Sequence, residues 1–251
     1  MGAGPVPIPY AVARANSVVI NHLGEAMDNV IRGLKNMSQY VFQTNSQKVI
    51  GVGGSASAAM EMAITNLLWP GRKVLILKMG TFSGRFGEMA KGVGAEVTFL
   101  ESEPGTPIMA ARVKELMARE QFDVITMAQG ETSCCVQNTE LEEIALIAKS
   151  HGALVIVDAV CTLSTMPFFM DDWKIDVAIT GGQKGLSSIP GVSLIAFSEE
   201  AWEIVEKRPD PAPHWYLDAI RAQKFWGEQQ YHYTAPVPGI LAIHEALRLI
   251  C

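Results

Sequence analysis

Val155-Ile-Val-Asp158-Ala-Val160 and, further along, Val177-Ala-Ile-Thr180-Gly-Gly-Gln-Lys184-Gly-Leu186 decide the fold. Each begins as an unbroken apolar run and stops at polar chemistry: Asp158 in the first, Lys184 behind two glycines in the second. A run that is apolar at every position, rather than at alternate ones, is buried on both faces. That is the signature of a strand in a parallel sheet covered by helices.

The pattern repeats outward from this pair. Residues 48–52, 73–78, 96–100, 123–127, 153–157, 177–179 and 193–196 read as seven strands. Helical patterns lie between them at 56–68, 84–93, 108–119 and 141–150. Repeated strand–helix–strand spacing predicts an α/β fold, a mainly parallel seven-stranded sheet sandwiched by helices. Before the first strand, residues 24–42 form an amphipathic helix with Met27, Val30, Ile31, Leu34 and Met37 on one face. After the last, 199–206 and 214–224 read as helices, and 239–250 as a third that reaches Cys251 without a Gly or Pro stop. The expected division is an extended Pro/Gly-rich arm over 1–22, a large domain over 23–238, and over 239–251 the start of a helix leading to a further domain. On this reading the chain is a fragment, and a small C-terminal domain of roughly a hundred residues is missing.

Composition narrows the function. The chain has 251 residues, 49% of them hydrophobic, enough for a sizeable core. Twenty Lys and Arg against 26 Asp and Glu leave a net charge of −6, with no basic run. Nucleic acid and anionic membranes are therefore excluded as partners. Cys134, Cys135, Cys161 and Cys251 lack zinc-type spacing, so no metal site is expected. With no signal-peptide pattern, a reducing cytoplasm is the expected setting. No apolar run approaches the ~18 residues of a membrane span.

In a parallel α/β sheet, ligands bind where strands end. After the strand at 48–52 comes Gly53-Gly54-Ser55-Ala56-Ser57, opening a helix. Small residues there let backbone N–H groups and the helix dipole meet an anion. Asp158 ends a wholly apolar strand, where a carboxylate needs a partner. Lys184 lies among glycines and apolar residues, a setting that suits a nucleophilic amine. Taken singly, each has a structural reading: a tight turn, a capping acid, an ordinary lysine. Together they meet the needs of pyridoxal 5′-phosphate, whose phosphate, pyridinium nitrogen and aldehyde call for an anion turn, a carboxylate and an amine.

These residues resemble the class V aminotransferases of PLP fold type I, and most closely the alanine/serine–glyoxylate group. The resemblance covers essentially the whole chain. Gly130-Glu131-Thr132-Ser133 and Tyr231-His-Tyr-Thr234-Ala-Pro236 add matches. It implies the large domain of that fold, with Lys184 as Schiff-base lysine and proton shuttle. It also implies Asp158 on the pyridine nitrogen, Val160 under the ring and Phe82 stacked on it. Ser55, Ala56 and Ser57 would start the phosphate-binding helix, Thr132 would approach the ring oxygen, and Gln183 would stand on the phosphate side. Tyr231 and Thr234 would reach the phosphate of a neighbouring subunit, which implies a homodimer with shared active sites. Gly2 to Pro5 would lie near the substrate. The implied reaction moves an amino group from a small amino acid, of alanine or serine type, to a 2-oxo acid such as glyoxylate or pyruvate. Alternatives are another class V chemistry, lyase or desulfurase, or a catalytically incompetent cofactor-binding fragment. Phe82 argues against a desulfurase, which carries a histidine there.

There are departures. Relatives usually have Gly where Cys135 stands, Pro at Asn138, His at Gln129, and often a second His at Tyr233. Cys134 and Cys135 read as buried small residues, and His232 as either a loop or a substrate-facing residue. The family's carboxylate-binding arginine belongs to the small domain, and no residue here clearly replaces it. Arg85 and Arg248 lie in helices and are expected to be solvated.

Overall fold

The computed structural model describes residues 4–251, so the expectation for Gly2 and Ala3 lies outside the described residues. In chain order the elements are α1 (Tyr10–Asn16), α2 (Glu25–Phe42), β1 (Val49–Gly53), α3 (Ala56–Leu67), β2 (Lys73–Lys78), α4 (Thr81–Gly92), β3 (Glu96–Glu101), α5 (Ala110–Met117) and β4 (Val124–Ala128). There follow a small hairpin of β5 (Gly130–Glu131) and β6 (Val136–Gln137), then α6 (Leu141–Ser150), β7 (Leu154–Asp158), β8 (Val177–Gly181), β9 (Val192–Phe197), α7 (Glu199–Glu206), α8 (Ala219–Glu228) and α9 (Val237–Ile250).

The sheet has seven strands in the order β1-β9-β8-β7-β4-β2-β3. Pairing is parallel from β8 to β3, and β9 runs antiparallel to both its neighbours. β1 and β8 therefore point the same way, and the carboxyl ends of β1, β2, β4, β7 and β8 share one edge. Every residue of β4, β7, β8 and β9 is buried, which is why these strands read as continuous apolar runs. β3, at the outer edge, is only half-buried and carries Glu96 and Glu101 at its ends. α2 lays Met27, Ile31, Leu34, Val41 and Phe42 on the core, with Val30 and Met37 at its margin.

The arm expected to be extended throughout is helical over Tyr10–Asn16. Val12 is fully buried there against Ala242 and Ala246 of α9. Its helix rests on a tertiary contact that local sequence does not announce. The single helix expected at 214–224 is split in two. Trp215–Leu217 forms one 3-10 turn, and α8 starts afresh after Asp218, whose carboxylate accepts the Arg221 N–H at 3.0 Å. Asn66 fastens the break from below: it donates to the Leu217 carbonyl at 2.7 Å and accepts the Ala219 N–H at 3.0 Å. No helix among the described residues is long and apolar enough to cross a membrane.

Candidate active site

β7 and β8 run side by side, Asp158 opposite Ile179, so Asp158 and the loop bearing Lys184 leave the sheet at the same edge. Asp158 is 6% exposed, and its Oδ1 accepts the Val160 N–H at 2.8 Å. Burial pushes its carboxyl up to about 6, with the Val160 N–H pulling the other way. The negative charge of Glu131 adds to the rise, while the cations of Arg85 and Lys184 oppose it.

Lys184 is half-buried, and its Nζ donates to the Gly4 carbonyl at 3.2 Å. The Val6 N–H donates to the Gln183 carbonyl at 3.1 Å, so the N-terminal arm lies strapped across this loop. Gly4 has φ +134°, and a Cβ there would stand 2.6 Å from Lys184 Cδ; only glycine lets the arm pass this close.

The expected anion turn forms at the start of α3. Ser55 caps the helix by position, without a side-chain bond to it. The first N–H groups of any helix lack intrahelical partners, which leaves this turn a donor of several. A side chain at Gly181 would meet Gln183 Oε1 at 2.7 Å and Ala56 Cβ at 3.2 Å, so its absence lets Gln183 converge on the turn. Gln183 Oε1 is buried, with no hydrogen-bond partner among the described residues.

α4 begins at Thr81, three positions ahead of the expected start, and so carries Phe82 in its first turn. Glu131 is the cause. Its Oε2 accepts the Ser83 N–H at 2.8 Å and hydroxyl at 2.7 Å. Its Oε1 accepts the Phe82 N–H at 3.2 Å and, from Ser133, the N–H at 3.1 Å and hydroxyl at 2.6 Å. Burial would raise the Glu131 carboxyl, but these bonds from Ser133 and Ser83 win and hold it below the usual carboxylate range. A charged carboxylate at a helix N-terminus also suits the helix dipole. Next to it lie Thr132 and, across the sheet end, Cys161, whose thiol is raised chiefly by burial. Cys161 Sγ lies 3.2 Å from the Gly130 carbonyl.

Arg85 departs from expectation. It is half-buried, with its guanidinium 4.5 Å from the centre of the Phe82 ring and Nη1 donating to Ser57 Oγ at 3.4 Å. Arg248 is exposed, as expected, and forks onto Glu245 at 2.7 and 2.8 Å. Cys134 is half-buried, but Cys135 is exposed rather than buried and has φ +56°. That left-handed conformation explains a preference for glycine at this place.

The structure thus gathers Ser55, Ala56, Ser57, Phe82, Thr132, Asp158, Val160, Gln183 and Lys184 along one edge. Tyr231 and Thr234 stand apart, exposed, with the Tyr231 ring 5.7 Å from His22. His232 is packed against Trp215, ring centres 4.6 Å apart, and burial lowers its pKa. Sequence reasoning missed Glu131 and Arg85. Glu131 carried the same signal as Asp158, an acid just past an apolar strand; Arg85 follows Phe82 at the spacing that puts two residues on one helix face.

Residues 10–250 match the sequence profile of the family described as aminotransferase class V. The chain is 33% identical over 255 residues to the alanine–glyoxylate aminotransferase of Oryctolagus cuniculus, covering 100% of this chain and 65% of that protein. It is 32% identical over 244 residues to the L-aspartate–glyoxylate aminotransferase of Paracoccus denitrificans, covering 93% of this chain and 60% of that one. Among solved structures, the alanine–glyoxylate aminotransferase of a Nostoc species superposes with a TM-score of 0.96 at 33% identity, over 99% of this chain and 66% of that chain. The ureidoglycine–glyoxylate aminotransferase of Bacillus subtilis gives 0.95 at 29% identity, over 100% of this chain and 65% of that one. The chain spans about 65% of the length of such relatives.

Proposed function

The chain belongs to the class V aminotransferase family, and from that premise we propose that it is the cofactor-binding large domain of a pyridoxal 5′-phosphate-dependent aminotransferase. The observation that carries the reading is the convergence of an anion turn, a buried carboxylate and a half-buried amine on one sheet edge. The residues fit the cofactor. Gln183 Oε1 is a buried polar atom in want of a partner, and Gly181 leaves a cradle beside the first turn of α3.

When bound, the cofactor supplies an aldehyde for an amine and a ring that withdraws electrons from the substrate's Cα. Ser55, Ala56, Ser57 and Gln183 would hold its phosphate. Phe82 would face the ring, with Val160 on the other side and Thr132 near the ring oxygen. Asp158, otherwise raised toward neutrality by burial, regains a reason to stay ionised beside a protonated ring nitrogen. Lys184 Nζ would hold the aldehyde carbon and, once displaced by an amino substrate, carry the Cα proton as base and then acid.

The proposed reaction takes an amino group from a small amino acid of alanine or serine type to a 2-oxo acid such as glyoxylate or pyruvate. The names borne by the similar proteins support it. Exposed Tyr231 and Thr234 are available to a second subunit, in keeping with a homodimer that shares its sites. A cytoplasmic setting suits the cysteine spacing. Lys184→Ala should abolish the visible absorption of the protein–cofactor complex; a variant that keeps it sinks the lysine assignment. Half-reaction spectroscopy against a panel of amino acids, followed by 2-oxo acids, identifies donor and acceptor.

A further inference from the structure

Arg72, Arg119, Arg221 and Arg248 each face a carboxylate within 3.6 Å. Arg85 faces none among the described residues, although it is half-buried. Glu131, set against the start of the same helix, is already committed to the donors of Ser83, Ser133 and Phe82, and Arg85 acts on Asp158 only through its charge, without an ion pair among the described residues. The guanidinium instead lies over the Phe82 ring at 4.5 Å and reaches Ser57 Oγ at 3.4 Å. It therefore bridges α4, which carries the aromatic platform, and the first turn of α3.

A guanidinium has five N–H donors, and the contact to Ser57 uses one of them. Stacking occupies its face and leaves its edge free for hydrogen bonds. A partly desolvated cation without a counter-ion, beside a turn of free backbone N–H groups, is matched to an anion with several oxygens. Such a cation also raises the local positive potential, which favours a dianion over a neutral ligand.

We infer that Arg85 is a positioning residue that locks Phe82 to the Ser55–Ser57 turn and makes the site select the phosphorylated cofactor over its unphosphorylated form. This rests on the function proposed above and adds to it a residue and the property it confers.

Equilibrium dialysis of the holoenzyme-forming chain with pyridoxal 5′-phosphate and with pyridoxal separates charge from platform. Arg85→Met keeps a long side chain against Phe82 but removes the charge. It should weaken pyridoxal 5′-phosphate about tenfold to a hundredfold, the worth of a charge-assisted hydrogen bond, and leave pyridoxal within about twofold. Arg85→Lys should restore part of the discrimination. Equal losses for both ligands, or none for either, overturn the inference while leaving the function intact. Failure of the unmodified chain to bind pyridoxal 5′-phosphate takes down both. Should Arg85→Met not fold, the unmodified chain still decides: the Arg85 Nε–H resonance, assigned by its loss in Arg85→Lys, should shift with inorganic phosphate. A resonance that stays still overturns the assignment.

Discussion

Asp158 and Asp176 sit on neighbouring strands at opposite edges of the sheet. Asp158 closes β7, and Asp176 immediately precedes β8. Both are buried, at 6% and 3% exposure, and burial raises both carboxyls. Their partners differ. Asp176 accepts the Val155 N–H at 2.8 Å, the Ser198 hydroxyl at 2.9 Å and the Lys149 ammonium at 3.0 and 3.1 Å. At the same edge Asp123 accepts the Lys73 N–H at 2.7 Å and faces Arg72 at 3.6 Å. Asp158 has a single backbone N–H. Its edge also holds Gln183 Oε1, without a hydrogen-bond partner among the described residues, and Arg85, without an ion-pair partner among them. At the Asp176 edge both acids are committed to internal donors; at the other Glu131 is likewise committed, while Asp158, Gln183 and Arg85 are left available, at a cost in stability.

The largest effect expected from this contrast is at the satisfied edge. Asp176→Ala strips Val155, Ser198 and Lys149 of a common acceptor, and should cost about 3 kcal/mol in urea unfolding. A loss under about 1 kcal/mol would erase the distinction between the two edges. Asp158→Asn should act in the opposite sense. Its carboxyl is raised in the folded chain from 3.8 to about 6, so the folded state holds a proton that the unfolded state releases. The resulting penalty is absent below the unfolded value and complete above the folded one. Replacement should therefore stabilise the ligand-free chain by about 3 kcal/mol at neutral pH, with the gain fading as pH falls from about 6 toward 4. A gain independent of pH would show that the carboxylate's charge is not the cause. The smallest effect compares backbone rather than charge. Cys135 and Lys174, φ +56° and +57°, take the left-handed conformation near the two edges. Replacing either by glycine should change stability by no more than about 1 kcal/mol, since relief of steric strain is offset by a freer unfolded chain. Thermal unfolding of both variants measures it, and a large effect at Cys135 alone would mark stored strain at the site edge.

What could be read from sequence was what short stretches determine by themselves. The bounds of Lys73–Lys78, Leu141–Ser150 and Glu199–Glu206 coincide with the expected ones, because hydrophobic period and flanking turns suffice there. Asp158 and Lys184 were visible because each interrupts apolar context. The remainder depends on partners far along the chain. α1 needs α9, the early start of α4 needs Glu131, and the hairpin of β5 and β6 is too short to have a period. Arg85 was legible as a helix residue and illegible as a bridge to Ser57, which belongs to another helix.

The strap over the active-site loop also has a temporal meaning. Gly4 and Lys184 are 180 positions apart, and Val12 packs on Ala242 and Ala246 still later. Because synthesis runs from the amino end, Gly4 and Val12 emerge long before β8 and α9, on which they rest, exist. The arm therefore settles late: until β8 and its loop are complete it has nowhere to bind. Contacts of such long range slow folding, which makes the arm a natural reporter of when the site is finished.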